Sequence, residues 1–252
     1  MKGNMAFINE FHLSNDLLTN IQEGKTAIQT ESIPSIPELS LNVKGLLTEH
    51  EVNHLNHELN THAWIPVGID GIKAHYKEGD TIGSYRLSCY EEALAQSLWM
   101  RLQPLLPTVR QFNEQAMTDW DQHESWEPIG INPLFRFIRY TQSGLLIPHY
   151  DGPYIQDEDV RSLSTLVLYL TDNHNGGGTR FLKDSQAHLP ESQRNYADWT
   201  REATEKEVSF IIEPAKGDAL IFDHRVLHDS ERINENRIKT IIRTDIMYRK
   251  VN

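Results

Sequence analysis

The sequence predicts an α+β, mainly-β protein: an antiparallel sandwich or jelly roll set on an N-terminal helical layer. Two observations predict it. After Gly130 the chain breaks into short β-branched or aromatic runs, "LFRFIRYT", "LSTLVLYLT", "TRFLK", "VSFIIEP", "DALIFDH" and "IKTIIRTDIMYR". Turn-forming stretches such as "NHNGGG" and "PAKGD" separate them. Strand following strand without helices between them argues for antiparallel pairing rather than βαβ units. Earlier, from Leu46 to about Pro107, apolar residues recur at largely helical spacing.

Taken in order, residues 1–40 read as a polar N-terminal extension, ending in "SIPSIPELS" with its two prolines. Residues 41–128 read as a helical support region. Its clearest helix is "EEALAQSLWMRLQPLLP", with Leu94, Leu98 and Leu102 at i, i+4 and i+8 and Pro104 and Pro107 closing it. "TDWDQHESWEPIG" reads as an irregular connector. Residues 129–252 form the jelly-roll core. Within it, the polar stretch 183–207 interrupts the strands and is a candidate lid insertion.

Composition narrows the function. The chain has 252 residues, enough to bury a core without staples, and a formal net charge of −12. An acidic chain without a visible basic groove argues against nucleic acid as a partner. One cysteine, Cys89, excludes an intramolecular disulfide and a cysteine-based zinc site, and suits a cytoplasmic protein. No signal-peptide pattern opens the chain, and no apolar run approaches membrane-spanning length, so no membrane partner is expected. Oligomeric state is not legible.

Two metal-like patterns compete. "HEVNH", residues 50–54, matches the H-E-x-x-H signature of zinc proteases. On a helix, however, His50, His54 and His57 fall on one stripe and Val52, Leu55 and Leu59 on the opposite one. The apolar stripe must be the buried one, which turns the histidines to water. Thr48 and Glu51 also form a capping box, giving Glu51 a structural task. The second pattern is "PHYDGPY", residues 148–154. It leaves a strand, and alternation sends His149 and Asp151 to the same side. "DHRVLHDS" supplies a third ligand from a distant strand, either His224 or His228. Two histidines and a carboxylate with positions left open suit non-heme Fe(II) better than zinc. Lys239 and Arg243, four apart on one strand face, are cations that a carboxylate cosubstrate would neutralise.

The order of these blocks resembles the 2-oxoglutarate- and Fe(II)-dependent dioxygenases, in particular the prolyl 4-hydroxylase-like branch. The resembling run is "NPLFRFIRYTQSG", "PHYDGPY", "LSTLVLYLTDNHNGGGTRF", "EPAKGDALIFDHRVLHDS" and "KTIIRTDIMYR", about half of the chain. The resemblance implies a double-stranded β-helix and the iron ligands His149, Asp151 and His228. His228 is preferred to His224 because the family's distal histidine lies about ten residues before its basic residue. It further implies Lys239 on the distal carboxylate of 2-oxoglutarate with Tyr169 as hydroxyl partner, Arg243 as the fallback, and Tyr140 beside the cosubstrate. Arg136, Tyr154 and His224 are candidates to meet the substrate.

The implied cofactors are Fe(II), 2-oxoglutarate and O2, with ascorbate a candidate reductant. The implied reaction hydroxylates an unactivated C–H of a peptide, amino-acid or small-molecule substrate, releasing succinate and CO2. Asp151 favours hydroxylation, since halogenases of this fold carry a small residue there. The alternatives are a cupin-like isomerase or sensor without oxygenase activity and a nucleic-acid base demethylase.

Overall fold

The computed structural model describes residues 11–23, 26–33, 36, 39–72, 83–111, 124–172, 176–189, 193–195, 199–234 and 237–251. Parts of the N-terminal extension, residues 118–123 of the expected connector, residues 173–175 and parts of 183–207 lie outside them.

Three helices form the support layer: α1 (Asn15–Glu23), α2 (Glu49–Leu59) and α3 (Glu92–Leu102). In α2 the capping box is complete: Glu51 N–H donates to Thr48 Oγ1, and the Thr48 N–H donates back to Glu51 Oε2. Val52, Leu55 and Leu59 are fully buried, while His50 and His57 are exposed. Glu51 is itself buried and held by Arg101 of α3 at 2.6 Å. The H-E-x-x-H glutamate therefore ties two helices together and faces no metal. Leu94, Leu98 and Leu102 of α3 are all buried, as their spacing requires.

The strands are β1 (Gln29–Ser32), β2 (Ser40–Lys44), β3 (Ile65–Val67), β4 (Ser84–Tyr90), β5 (Arg110–Gln111), β6 (Ser125–Ile131) and β7 (Leu134–Tyr140). They continue with β8 (Leu146–His149), β9 (Val160–Tyr169), β10 (Thr179–Leu182), β11 (Val208–Ile212), β12 (Ala219–Asp223), β13 (His228–Ser230) and β14 (Lys239–Val251). Among the described residues, the large sheet runs β1-β2-β12-β9-β14-β7-β4-β3, with β6 on the far end of β14 and β5 on β6. The small sheet runs β11-β10-β13-β8. All pairings are antiparallel, and the architecture is the double-stranded β-helix, mainly β with an N-terminal helical layer.

Alternation divides the core in two. Phe135, Phe137, Leu166, Leu168, Ile221 and Ile242 point from the large sheet to the helices. Tyr140, Val167, Tyr169, Phe222 and Ile241 point to the small sheet, where Phe181 and Ile212 meet them. The site lies on this second face.

The N-terminal region differs from the expected polar extension. Phe11, Leu13, Leu17 and Ile21 are buried in the helix-side core, and β1 pairs with β2 at the sheet edge. Its polar average concealed a short apolar stripe, Leu17 and Ile21 at i, i+4. Residues 41–128 also contribute five strands, β2 to β6, beside two helices. No helix among the described residues is long and apolar enough to cross a membrane.

Candidate active site

The ends of β8 and β13 lie side by side, with His149 directly opposite His228. Their ring centroids are 4.2 Å apart. Asp151, two residues past His149, completes the set. Its Oδ1 stands 3.8 Å from His149 Nε2 and its Oδ2 3.7 Å from His228 Nε2. Ligands about 2 Å from one small dication are spaced by about 3–4 Å, so the three fit a single ion. Among the described residues they are the one group of three or more such side chains whose ligand atoms, within 4.8 Å of one another, could hold a metal.

The side chains are prepared for that task. His149 Nδ1 lies 2.8 Å from the Ile147 carbonyl, and His228 Nδ1 lies 2.9 Å from the Val226 carbonyl. Each Nδ1–H is thereby committed to the backbone two residues earlier, which leaves Nε2 free to ligate. Burial pushes the His228 imidazole down to about 3, with His149 beside it adding to the effect, so the ring is neutral. Burial alone would raise the Asp151 carboxyl, but Arg243 and the histidines outweigh it and hold Asp151 below the ordinary carboxylate range. Arg243 Nη2 meets Asp151 Oδ1 at 2.9 Å, and the Thr165 hydroxyl donates to Oδ2. Asp223 and Asp229, the carboxylates flanking the distal histidine region, play no such part. Arg110 and Arg225 hold Asp223, and Arg180 grips Asp229 bidentately at 2.8 and 2.6 Å.

Beside the triad lies a cavity of about 220 Å³ between the sheets. Tyr140, Lys239, Ser230 and Thr179 line it, as do Arg86, Arg136 and Arg243. Lys239 is 1% exposed; its Nζ donates to Ser230 Oγ at 2.8 Å and lies 5.3 Å from the Tyr140 ring centroid. No carboxylate pairs with it among the described residues. Burial pushes its ammonium down to about 7, with Asp229, Glu231 and Glu213 opposing part of that shift.

The other candidates sit as follows. Tyr169 is fully buried one layer behind the cavity, its hydroxyl 2.8 Å from Thr179 Oγ1. Arg136 lines the cavity on the same strand face as Ile138 and Tyr140. His224 is buried outside the lining, with Nε2 3.4 Å from Asp245 Oδ1, and so does not reach the space where a substrate would sit. Tyr154 lies on the exterior, 36% exposed, with its backbone bonded to Ser162 at the start of β9. Sequence reading missed Arg86, Thr165, Thr179 and Ser230. Thr165 and Ser230 carried a signal, being in step with Tyr169 and His228 on their strands. Arg86 carried none, since only the pairing of β4 with β7 brings it here.

A double-stranded β-helix with two histidines and a carboxylate converging at one end defines a candidate metal centre. Residues 135–244 match the sequence model of the 2OG-Fe(II) oxygenase superfamily. The protein is a 2-oxoglutarate-dependent dioxygenase using Fe(II), which sets the cupin-like alternative aside. No curated protein matches the sequence. Similar solved structures include the viral collagen prolyl hydroxylase of Paramecium Bursaria Chlorella virus-1, at 15% identity, TM-score 0.46, covering 84% of this chain and 97% of that one. HygX of Streptomyces hygroscopicus, with nickel, 2-oxoglutarate and hygromycin B bound, is 14% identical, TM-score 0.46, covering 94% and 87%. The 2-oxoglutarate-dependent carbocyclase SnoK of nogalamycin biosynthesis is 13% identical, TM-score 0.50, covering 94% and 84%. At these identities the likeness is one of fold.

Proposed function

We propose that the protein hydroxylates an unactivated C–H bond of an amino-acid, peptide or other small substrate, with Lys239 holding the far carboxylate of 2-oxoglutarate. The observation that carries the reading is Lys239 itself. A buried cation without a carboxylate partner is costly unless an anionic ligand meets it, and this one faces the cavity that adjoins the triad. Ser230 and Tyr140 give the same end of the cavity its hydroxyl groups, and Thr179, backed by Tyr169, adds another.

His149, Asp151 and His228 would hold Fe(II), which supplies oxidising power when O2 and 2-oxoglutarate are present. The reaction balances as 2-oxoglutarate, O2 and R–H giving succinate, CO2 and R–OH. The chain's own share is positional. The backbone carbonyls of Ile147 and Val226 fix the imidazole tautomers, Thr165 and Arg243 orient the Asp151 carboxylate, and Ile138, Val167, Phe222 and Ile241 exclude water. A carboxylate at position 151, rather than a small residue, supports hydroxylation over halogenation.

Anaerobic titration of the Fe(II)-loaded protein with 2-oxoglutarate, followed by the visible charge-transfer absorption of the chelate, tests this. The absorption should vanish in His149→Ala, and Lys239→Ala should need at least about tenfold more 2-oxoglutarate, the loss of one charge-assisted bond. An unchanged titration in Lys239→Ala overturns the anchor assignment.

A further inference from the structure

Three arginines meet on the cavity side of the large sheet. Arg243 on β14 is directly opposite Arg136 on β7, and Arg86 on β4 lies one diagonal step away, opposite Ile138. All three line the cavity. Like charges directly opposite one another in antiparallel strands repel, so the arrangement needs anions.

Arg243 has them, at 2.9 Å from Asp151 and 3.1 Å from Asp245. Arg136 does not. Its Nη1 is buried with no hydrogen-bond partner, and among the described residues no carboxylate stands within ion-pair distance of its guanidinium. Burial, and then Arg243 beside it, lower its affinity for its own proton, and Asp245 and Asp151, both already paired with Arg243, offset only part of that. Arg86 reaches only a neutral acceptor, the Gly71 carbonyl at 3.1 Å, and its Nε is also buried without a partner. Of the remaining carboxylates in the lining, Asp229 belongs to Arg180, and Asp70 sits exposed at the rim, accepting from the Ile72 N–H.

The charges can be apportioned. A dication, the 2-oxoglutarate dianion, Lys239, Arg243, Asp151 and Asp245 balance one another. Among the described residues Arg136 and Arg86 are left over, two guanidiniums facing a space that must also hold a second small molecule.

We propose that Arg136, with Arg86, is the seat of a carboxylate on the substrate, and that the substrate is therefore a small free acid rather than a residue inside a peptide chain. Guanidinium forks match carboxylates bidentately. The cavity, at about 220 Å³, is smaller than the roughly 300–1,000 Å³ of drug-sized ligand sites and is shared with the cosubstrate. Arg136 would orient the acid so that a C–H at a fixed distance from its carboxylate faces the triad. The charge count that leads here rests on the reading that Lys239, not an arginine, takes 2-oxoglutarate, whereas the binding test of Arg136 stands by itself.

The test uses the full chain loaded with Mn(II), a redox-silent stand-in for iron, and saturating 2-oxoglutarate. Thermal shift and calorimetry follow binding of free L-amino acids and short hydroxy acids, each beside its primary amide. At least one acid should bind at least tenfold tighter than its amide, and Arg136→Gln should erase that preference while leaving 2-oxoglutarate binding as in wild type. Acids binding no better than amides, no acid binding, or an intact preference in Arg136→Gln overturns the proposal. So does a raised 2-oxoglutarate requirement in Arg136→Gln, because the arginine would then serve the cosubstrate. An acid preference lost in Arg136→Gln together with an unaffected 2-oxoglutarate titration in Lys239→Ala would instead leave this inference standing and remove the Lys239 assignment. Ligand-free Arg136→Gln should melt above wild type, since it relieves an unpaired cation; melting below wild type counts against the proposal. Arg86→Gln repeats the binding measurement at the second guanidinium, and should weaken the acid preference as well.

Discussion

With Lys239 as the proposed seat of 2-oxoglutarate, its surroundings set a measurable property. An ordinary lysine ammonium titrates near 10.5, and burial brings this one to about 7. Only the protonated form attracts a carboxylate, so above about pH 7 binding of 2-oxoglutarate must first take up a proton. The sign follows: affinity is level below that pH and falls by up to about tenfold per unit above it. Lys239→Arg, whose guanidinium does not titrate in this range, should flatten the profile between about pH 7 and pH 9. The charge-transfer titration repeated across that range measures it, and a flat wild-type profile would mean that Lys239 already carries its proton before 2-oxoglutarate binds. The residue was legible in the sequence because its strand, "NRIKTIIRTD", carries two cations on one face. Tyr169 was legible as part of the same neighbourhood but not in its depth. Strand alternation gives the face a side chain points to, and says nothing of whether Thr179 stands between it and the cavity.

At the scale of elements, local signals survived and long-range ones did not. The capping box of α2, the leucine stripe of α3 and the His-x-Asp at the end of β8 are written within a few residues of chain, and the sequence displays them. The burial of α1, the place of β1 at the sheet edge and the arginine trio depend on partners that the sequence does not name. The 183–207 insertion is of this second kind. Tyr150, between the candidate ligands His149 and Asp151, stacks edge-on against Trp199 at 5.0 Å and bonds through its hydroxyl to Asp184 and to Arg194 Nη1, the latter at 2.6 Å. The Arg194 guanidinium also lies 5.1 Å from the Tyr150 ring centroid. A hydrogen bond of about 1 kcal/mol and a cation–π contact of about 0.5–1 kcal/mol are enough to slow local opening about tenfold. Tyr150→Ala should therefore expose Arg194 and speed tryptic cleavage there by roughly that factor; an unchanged rate would show that the insertion is held elsewhere. A second element-level contact is the turn before β12. Gly217 has φ +89°, and a Cβ there would sit 2.5 Å from the Leu47 carbonyl oxygen. Gly217→Ala should lower stability by about 1–3 kcal/mol in urea unfolding. Gly130→Ala, where a Cβ meets nothing within 4 Å, is the control and should be near neutral.

At the scale of the whole molecule, the site is also the clasp between the two sheets. Asp151 follows β8 of the small sheet, yet its carboxylate is held by Arg243 on β14 and Thr165 on β9, both of the large sheet. Removing one partner of a largely buried pair leaves the other charge uncompensated, a loss of about 3 kcal/mol. Arg243 keeps Asp245 at 3.1 Å, but its neighbour Arg136 then faces a cavity with one anion fewer. Asp151→Ala should therefore destabilise the metal-free protein by about that amount. His149→Ala should not, because His149 is more exposed, at 28% of its side chain, and bonds only to its own strand's backbone. The two variants agree once ligands are added. In wild type, Mn(II) with 2-oxoglutarate at about a hundred times its dissociation constant should add about 2.7 kcal/mol to unfolding, and neither variant should gain it. Denaturant unfolding of the three proteins, with EDTA and with Mn(II) and 2-oxoglutarate, separates the structural role of the carboxylate from its ligand role. Equal metal-free stabilities for the two variants would mean that the sheets are joined without Asp151.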